Sequence, residues 1–169
     1  MFKDTGFISK RRAEAISDPE GASRRAIISI TSPDGTPGCR PAVLDQNSWS
    51  QVLRLQFHDL DPKVHGQVKS YVIFSEDQAL QIIRFMRAHQ DEHDVLIVHC
   101  EAGISRSAGV AKFVAYVYGL AFLESYSNYN RHVFNTLVRI YTQSMYGAGP
   151  LKPEELPGYT QETQSTKET

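Results

Sequence analysis

The sequence predicts an α/β layered domain, and three observations carry that prediction. Short runs rich in Val, Ile and Leu alternate along the chain with longer runs of helical period. The 169 residues match about one domain. Hydrophobic residues make up 41% and charged residues 22%, enough apolar material for one sizeable core, which excludes wholesale disorder.

The elements follow in order. Residues 9–17 read as a short helix whose basic run, Lys10, Arg11 and Arg12, forms a solvated face. Residues 26–30 form a short buried strand, ended by the Pro- and Gly-rich stretch 32–38. Residues 52–57 alternate apolar and polar side chains, the pattern of a half-buried strand, and the polar run 58–62 stops it. Ser75 followed by Gln78 has capping-box form and opens an amphipathic helix carrying Leu80, Ile83, Phe85 and Met86. Residues 95–98, Val-Leu-Ile-Val, are an uninterrupted apolar run that suits a central strand covered on both faces. A glycine-containing loop and a helix over 107–118, apolar almost all round, come directly after it. A last helix over about 130–145 places Val133, Leu137, Ile140 and Tyr141 on one stripe. These elements assign residues 1–146 to the domain, and the Pro- and Gly-containing end, 147–169, to a mobile tail.

Composition narrows the function. Eighteen Lys and Arg against nineteen Asp and Glu leave a net charge of −1, without the basic footprint of a nucleic-acid or anionic-membrane binder. The apolar stretch 108–123 is too short for a membrane span and contains Lys112. The N-terminus lacks a secretory apolar region. Two cysteines, Cys39 and Cys100, make neither a disulfide framework nor a zinc pattern, and reduced thiols fit a cytoplasmic protein. His58, His65 and the other histidines form no metal-ligand pattern, so neither metal nor cofactor is expected.

The loop between the central strand and the buried helix carries the chemistry. A helix N-terminus offers unpaired backbone N–H groups and the positive end of the macrodipole, a setting that favours an anion. Gly103 permits a turn tight enough to aim successive N–H groups from Glu101, Ala102, Gly103, Ile104, Ser105 and Arg106 at one point. The planar fork of Arg106, six residues after Cys100, can bind two oxygens of a phosphate there. Cys100, at the mouth of this cradle, feels the same field, which favours its thiolate. A soft nucleophile beneath a bound tetrahedral oxyanion is the arrangement phosphoryl transfer to sulfur requires.

The phrase from His99 to Ser107, His-Cys-Glu-Ala-Gly-Ile-Ser-Arg-Ser, resembles the signature loop of the cysteine-dependent protein tyrosine phosphatase superfamily, and its dual-specificity branch most of all. The resemblance implies a three-layer domain, a small and mostly parallel sheet with helices on both faces. It implies a hydrolase that removes phosphate from phosphotyrosine, or also from phosphoserine and phosphothreonine, in a phosphorylated protein through a phosphocysteine intermediate. By similarity Ser107 places its hydroxyl near the sulfur and helps the thiolate leave, and His99 steadies the loop by hydrogen bonds. The family draws a leaving-group proton from an Asp just after an upstream strand. The matching segment holds Asp59, two residues past Phe57, with Asp61 the alternative acid. The family often shows Glu-Asp-Asn at this point, where this chain has His-Asp-Leu-Asp.

Two other readings stay open on the sequence. One is the same chemistry on a non-protein phosphate ester, an RNA 5′ end or a small metabolite. The other is a phosphopeptide-binding module without catalysis, against which the retained thiol argues. Glu101 within the loop, where phosphoinositide-directed relatives place Lys or Arg, argues against polyphosphorylated lipids.

Overall fold

A computed structural model of the chain describes residues 1–33, 39–66 and 70–146. The elements run β1 (Asp4–Ser9), α1 (Lys10–Glu14), a single 3₁₀ turn (Ala22–Arg24), β2 (Arg25–Thr31), β3 (Gln51–Gln56), α2 (Pro62–His65), α3 (Glu76–His89), β4 (Val95–Cys100), α4 (Arg106–Tyr118) and α5 (Arg131–Tyr146). The four strands form one sheet in the order β1-β4-β2-β3, and every pairing is parallel. Helices cover both faces, the three-layer α/β arrangement expected from the sequence, but they are unevenly shared.

The pleat of β2 and β4 explains how. Ala26, Ile28, Ile30, Leu96, Val98 and Cys100 point to one face, where they meet buried residues of α3, α4 and α5 in the main core. Ile27 and Ile97 point to the other, where Ala13 of α1 and the irregular segment bearing Ala42, Leu44 and Trp49 form a smaller cluster. A central strand with apolar side chains on both faces is what a continuous Val-Leu-Ile-Val run encodes. The capping box forms as expected: Ser75 Oγ accepts from the Gln78 amide and Gln78 returns a bond to the Ser75 amide, so α3 begins at Glu76.

Four local readings need correction. The helix expected over 9–17 is only α1, because Ser9 is its N-cap and the chain turns away after Glu14. The segment before it is strand β1, for which the local pattern carries no strand signal: it is short, and pairing with β4 decides its conformation. Lys10 is not on a solvated face; it is 7% exposed and inside an ion pair described below, whereas Arg11 and Arg12 are exposed. The polar run after β3 also carries the four-residue helix α2. The tail, 147–169, and part of the turn-rich stretch, 34–38, lie outside the described residues. Among the described residues no helix is long and apolar enough to cross a membrane.

Candidate active site

In a parallel sheet the carboxyl ends of the strands converge on one edge of the domain, and crevices form there. All four strands contribute to it here. β4 ends in His99 and Cys100, and the loop 101–105 leads from it into α4. β3 ends beside Phe57 and Asp59, β2 beside Ser32, and β1 beside Ser9 and Lys10.

Cys100 is free and buried, and its Sγ lies 3.1 Å from Ser107 Oγ in the first turn of α4. Arg106, which begins α4, is 4% exposed. Its Nη1 donates to the Phe57 carbonyl at 2.8 Å and to Ser32 Oγ at 3.3 Å, while its buried Nε finds no acceptor among the described residues. A buried guanidinium N–H without an acceptor is costly, and an anion in the loop would remove that cost. Through Phe57 the same guanidinium also joins the cysteine loop to the segment that carries Asp59.

The loop is held through its carbonyls. The Lys10 amide donates to Glu101 O at 3.3 Å, Tyr126 Oη to Ile104 O at 2.8 Å, and the amides of Gly109 and Asn130 to Ser105 O at 3.0 Å each. Lys10 Nζ adds an ion pair with Glu101 at 2.7 Å; the Lys10 side chain is 9% exposed and that of Glu101 44%. The Glu101 carboxylate thus lies at the rim. Burial pushes the Tyr126 phenol above its ordinary range, with the charge of Cys100 adding to it, which keeps its hydroxyl a donor. Gly103 has φ +68° and lies so close to β1 that a Cβ there would meet Ser9 N at 2.2 Å.

His99 is fully buried on the opposite face of β4, with Nε2 2.7 Å from Ser29 Oγ on β2. Burial, reinforced by the Arg54 guanidinium, lowers its pKa to about 4. A neutral imidazole under the sheet is a fixed strut beneath the loop and not a proton carrier at neutral pH.

The structure separates the two acid candidates. Asp59 is exposed, and its Oδ1 accepts from Ser105 Oγ at 2.7 Å and from Asn130 Nδ2 at 2.9 Å, which brings the carboxylate onto the cysteine loop. Asp61 is instead the N-cap of α2: its Oδ1 accepts from the Lys63 amide at 2.9 Å, a turn-forming role. Lys10, Tyr126 and Asn130 went unseen as site residues in the sequence. Asn130 announced itself only as a polar residue opening an apolar helix, which signals a cap and nothing more.

One expectation about histidines needs amendment. Among the described residues His89, Glu92 and His93 each bring a potential ligand atom within 4.8 Å of the others, although the sequence suggested no such group. They lie before β4, at the opposite end of the sheet from Cys100. The ring nitrogens of His93 contact His89 O and Ser50 Oγ, so both are already engaged.

No family model and no curated protein matches the chain. Two solved structures are similar to it. A human tyrosine phosphatase-like serine/threonine/tyrosine-interacting protein aligns with a TM-score of 0.44 and 20% identity over 75% of this chain and 80% of that one. Tk-PTP in its active form aligns with a TM-score of 0.41 and 15% identity over 91% of this chain and 86% of that one. Both likenesses are loose, and what the site can do rests on its own geometry: a buried thiol and hydroxyl in contact, a guanidinium with an N–H to spare, and a carboxylate bonded to the same loop.

Proposed function

We propose that the chain is a metal-independent cysteine-dependent phosphatase acting on phosphotyrosine, or also on phosphoserine and phosphothreonine, in cytoplasmic phosphoproteins. The hydrogen bond from Ser105 Oγ to Asp59 carries this reading, because it brings a carboxylate from the end of β3 onto the cysteine loop after β4. A carboxylate beside an anion site weakens binding of the anion but suits a site that must deliver a proton.

In the reaction so read, the loop amides and Arg106 hold the three non-bridging oxygens of the phosphate. The Cys100 thiolate forms an S–P bond as the bond from phosphorus to the ester oxygen breaks, and Asp59 gives that oxygen its proton. Water then attacks phosphocysteine, Asp59 takes a proton from it, and the S–P bond breaks. Ser107, 3.1 Å from the sulfur, donates a hydrogen bond to the departing thiolate, and inorganic phosphate leaves.

Two measurements test the reading. Cys100→Ser should abolish turnover, and brief exposure of the wild type to substrate followed by acid quench should give a mass increase of one phosphoryl group on the peptide containing Cys100. Asp59→Ala should cost about 10²–10⁴ in rate on a phosphotyrosine peptide and far less on p-nitrophenyl phosphate, whose leaving group hardly needs a proton. Asp61→Ala should leave the ratio of the two rates unchanged. Full turnover by Cys100→Ser, or a substrate-selective loss in Asp61→Ala alone, overturns it.

A further inference from the structure

We propose that Asn130 is a positioning residue that holds Asp59 over the cysteine loop, an inference that rests on the phosphatase reading. Asn130 stands just before α5 and is 6% exposed. Its Oδ1 accepts from the Val133 amide at 3.0 Å, an N-cap contact, which leaves Nδ2 to face acceptors. Two acceptors are there: Asp59 Oδ1 at 2.9 Å and Leu60 O at 3.4 Å. Its backbone amide meanwhile donates to Ser105 O at 3.0 Å. One residue therefore fastens three things together: the start of α5, the cysteine loop and the acid segment.

The choice of side chain follows from this. Ser, Asp and Asn cap a helix about equally well. Of these, Asn alone can accept from the helix while donating to a carboxylate on its other side. Ser has one short hydroxyl, and Asp would set a second carboxylate against the first. Both bonds to the acid, from Asn130 and from Ser105, converge on Oδ1. Among the described residues Oδ2 has no such partner, so it is the oxygen free to face the leaving group. Fixing one carboxylate oxygen so that the other is aimed is what a general acid requires, since proton delivery depends on geometry before it depends on acidity.

Asn130→Ser and Asn130→Asp keep a capping side chain and the backbone bond to Ser105 and remove the Nδ2 donor to Asp59 and Leu60 O, and Asn130→Asp also sets a carboxylate against Asp59. The fold should survive both, as a thermal melt would verify. The readout is the ratio of kcat/KM for a phosphotyrosine peptide to that for p-nitrophenyl phosphate. Either variant should lower this ratio about ten- to a hundredfold, the range one hydrogen bond to a charged group spans. In an Asp59→Ala background the same substitution should leave the ratio unmoved, because its effect passes through that carboxylate. Amide hydrogen exchange over residues 58–60 should quicken in Asn130→Ser while residues 134–140 keep their protection. An equal loss on both substrates, a further fall in the Asp59→Ala background, or an unchanged ratio overturns the proposal. Should wild type and Cys100→Ser prove indistinguishable, the phosphatase reading fails by itself. The exchange result then decides the fate of Asn130 separately: faster exchange over 58–60 supports the positioning role, and unchanged exchange refutes it.

Discussion

Gly103→Ala isolates the loop's shape from its chemistry, since it touches no reacting group. The added Cβ would lie 2.2 Å from Ser9 N, 2.3 Å from Ile8 C and 2.7 Å from Ile8 O. All three atoms are backbone of β1, which is held in register along its length by its pairing with β4. Ordinary contact needs about 3.5 Å, so the loop must withdraw by about 1 Å. A displacement of that size at a reacting centre costs on the order of a hundredfold in rate. The left-handed φ of +68° adds about 1–2 kcal/mol of backbone strain, which lowers Tm by about 3–6 °C in a domain of this size. Gly119 supplies the control: its φ is +64° but nothing lies within 4 Å of its would-be Cβ. Gly119→Ala should therefore lower Tm similarly and leave hydrolysis of p-nitrophenyl phosphate intact. The assay is steady-state hydrolysis beside a thermal melt for both variants. If Gly103→Ala keeps kcat/KM within threefold of wild type, or if the two variants lose activity equally, the argument from packing against β1 is refuted.

Three other outcomes are expected. His99, with its pKa lowered to about 4 in the folded chain against about 6.5 unfolded, contributes stability that is fully present above pH 6.5 and is lost as pH falls toward 4. Urea unfolding should show wild type losing about 2–3 kcal/mol more than His99→Asn between pH 7 and about pH 4.5, and parallel curves would contradict the buried neutral imidazole. In the ion pair between Lys10 and Glu101, removing the exposed partner strands a buried charge, whereas removing the buried partner leaves a hydrated one. Glu101→Ala should thus cost about 2 kcal/mol in chemical denaturation and Lys10→Met about 1 kcal/mol or less; the reverse order would refute that reading of their burial. Finally, a reaction that uses Cys100 as thiolate and another group as acid should give a bell-shaped profile of kcat/KM, and a profile that only rises with pH would rule the scheme out.

What could be read from the sequence was what neighbouring residues determine among themselves. Ser75 and Gln78 cap each other three residues apart, Val95 to Val98 bury on both faces, and Cys100, Gly103 and Arg106 share one turn of chain. Asp59 was legible in part, from its place after a strand, but nothing local distinguished it from Asp61. The distinction lies in Ser105 and Asn130, 46 and 71 residues away, and in the helix that Asp61 caps. β1 was missed because six residues with a glycine among them carry little strand signal, and the sheet supplies the rest. Lys10 read as solvated because a basic run usually is; its burial depends on a partner 91 positions later.

The pairing of β1 with β4 also dictates a timetable. During synthesis β1 must wait for its partner among the described residues, β4, which follows some 91 residues later, and for Asn130 later still. Closing so long a loop is slow, and no stretch of nascent chain that stops before Asn130 contains every group that shapes the cradle. Chemical competence on this reading appears in one late step, after the residue that caps α5 has joined the strands and loops that precede it.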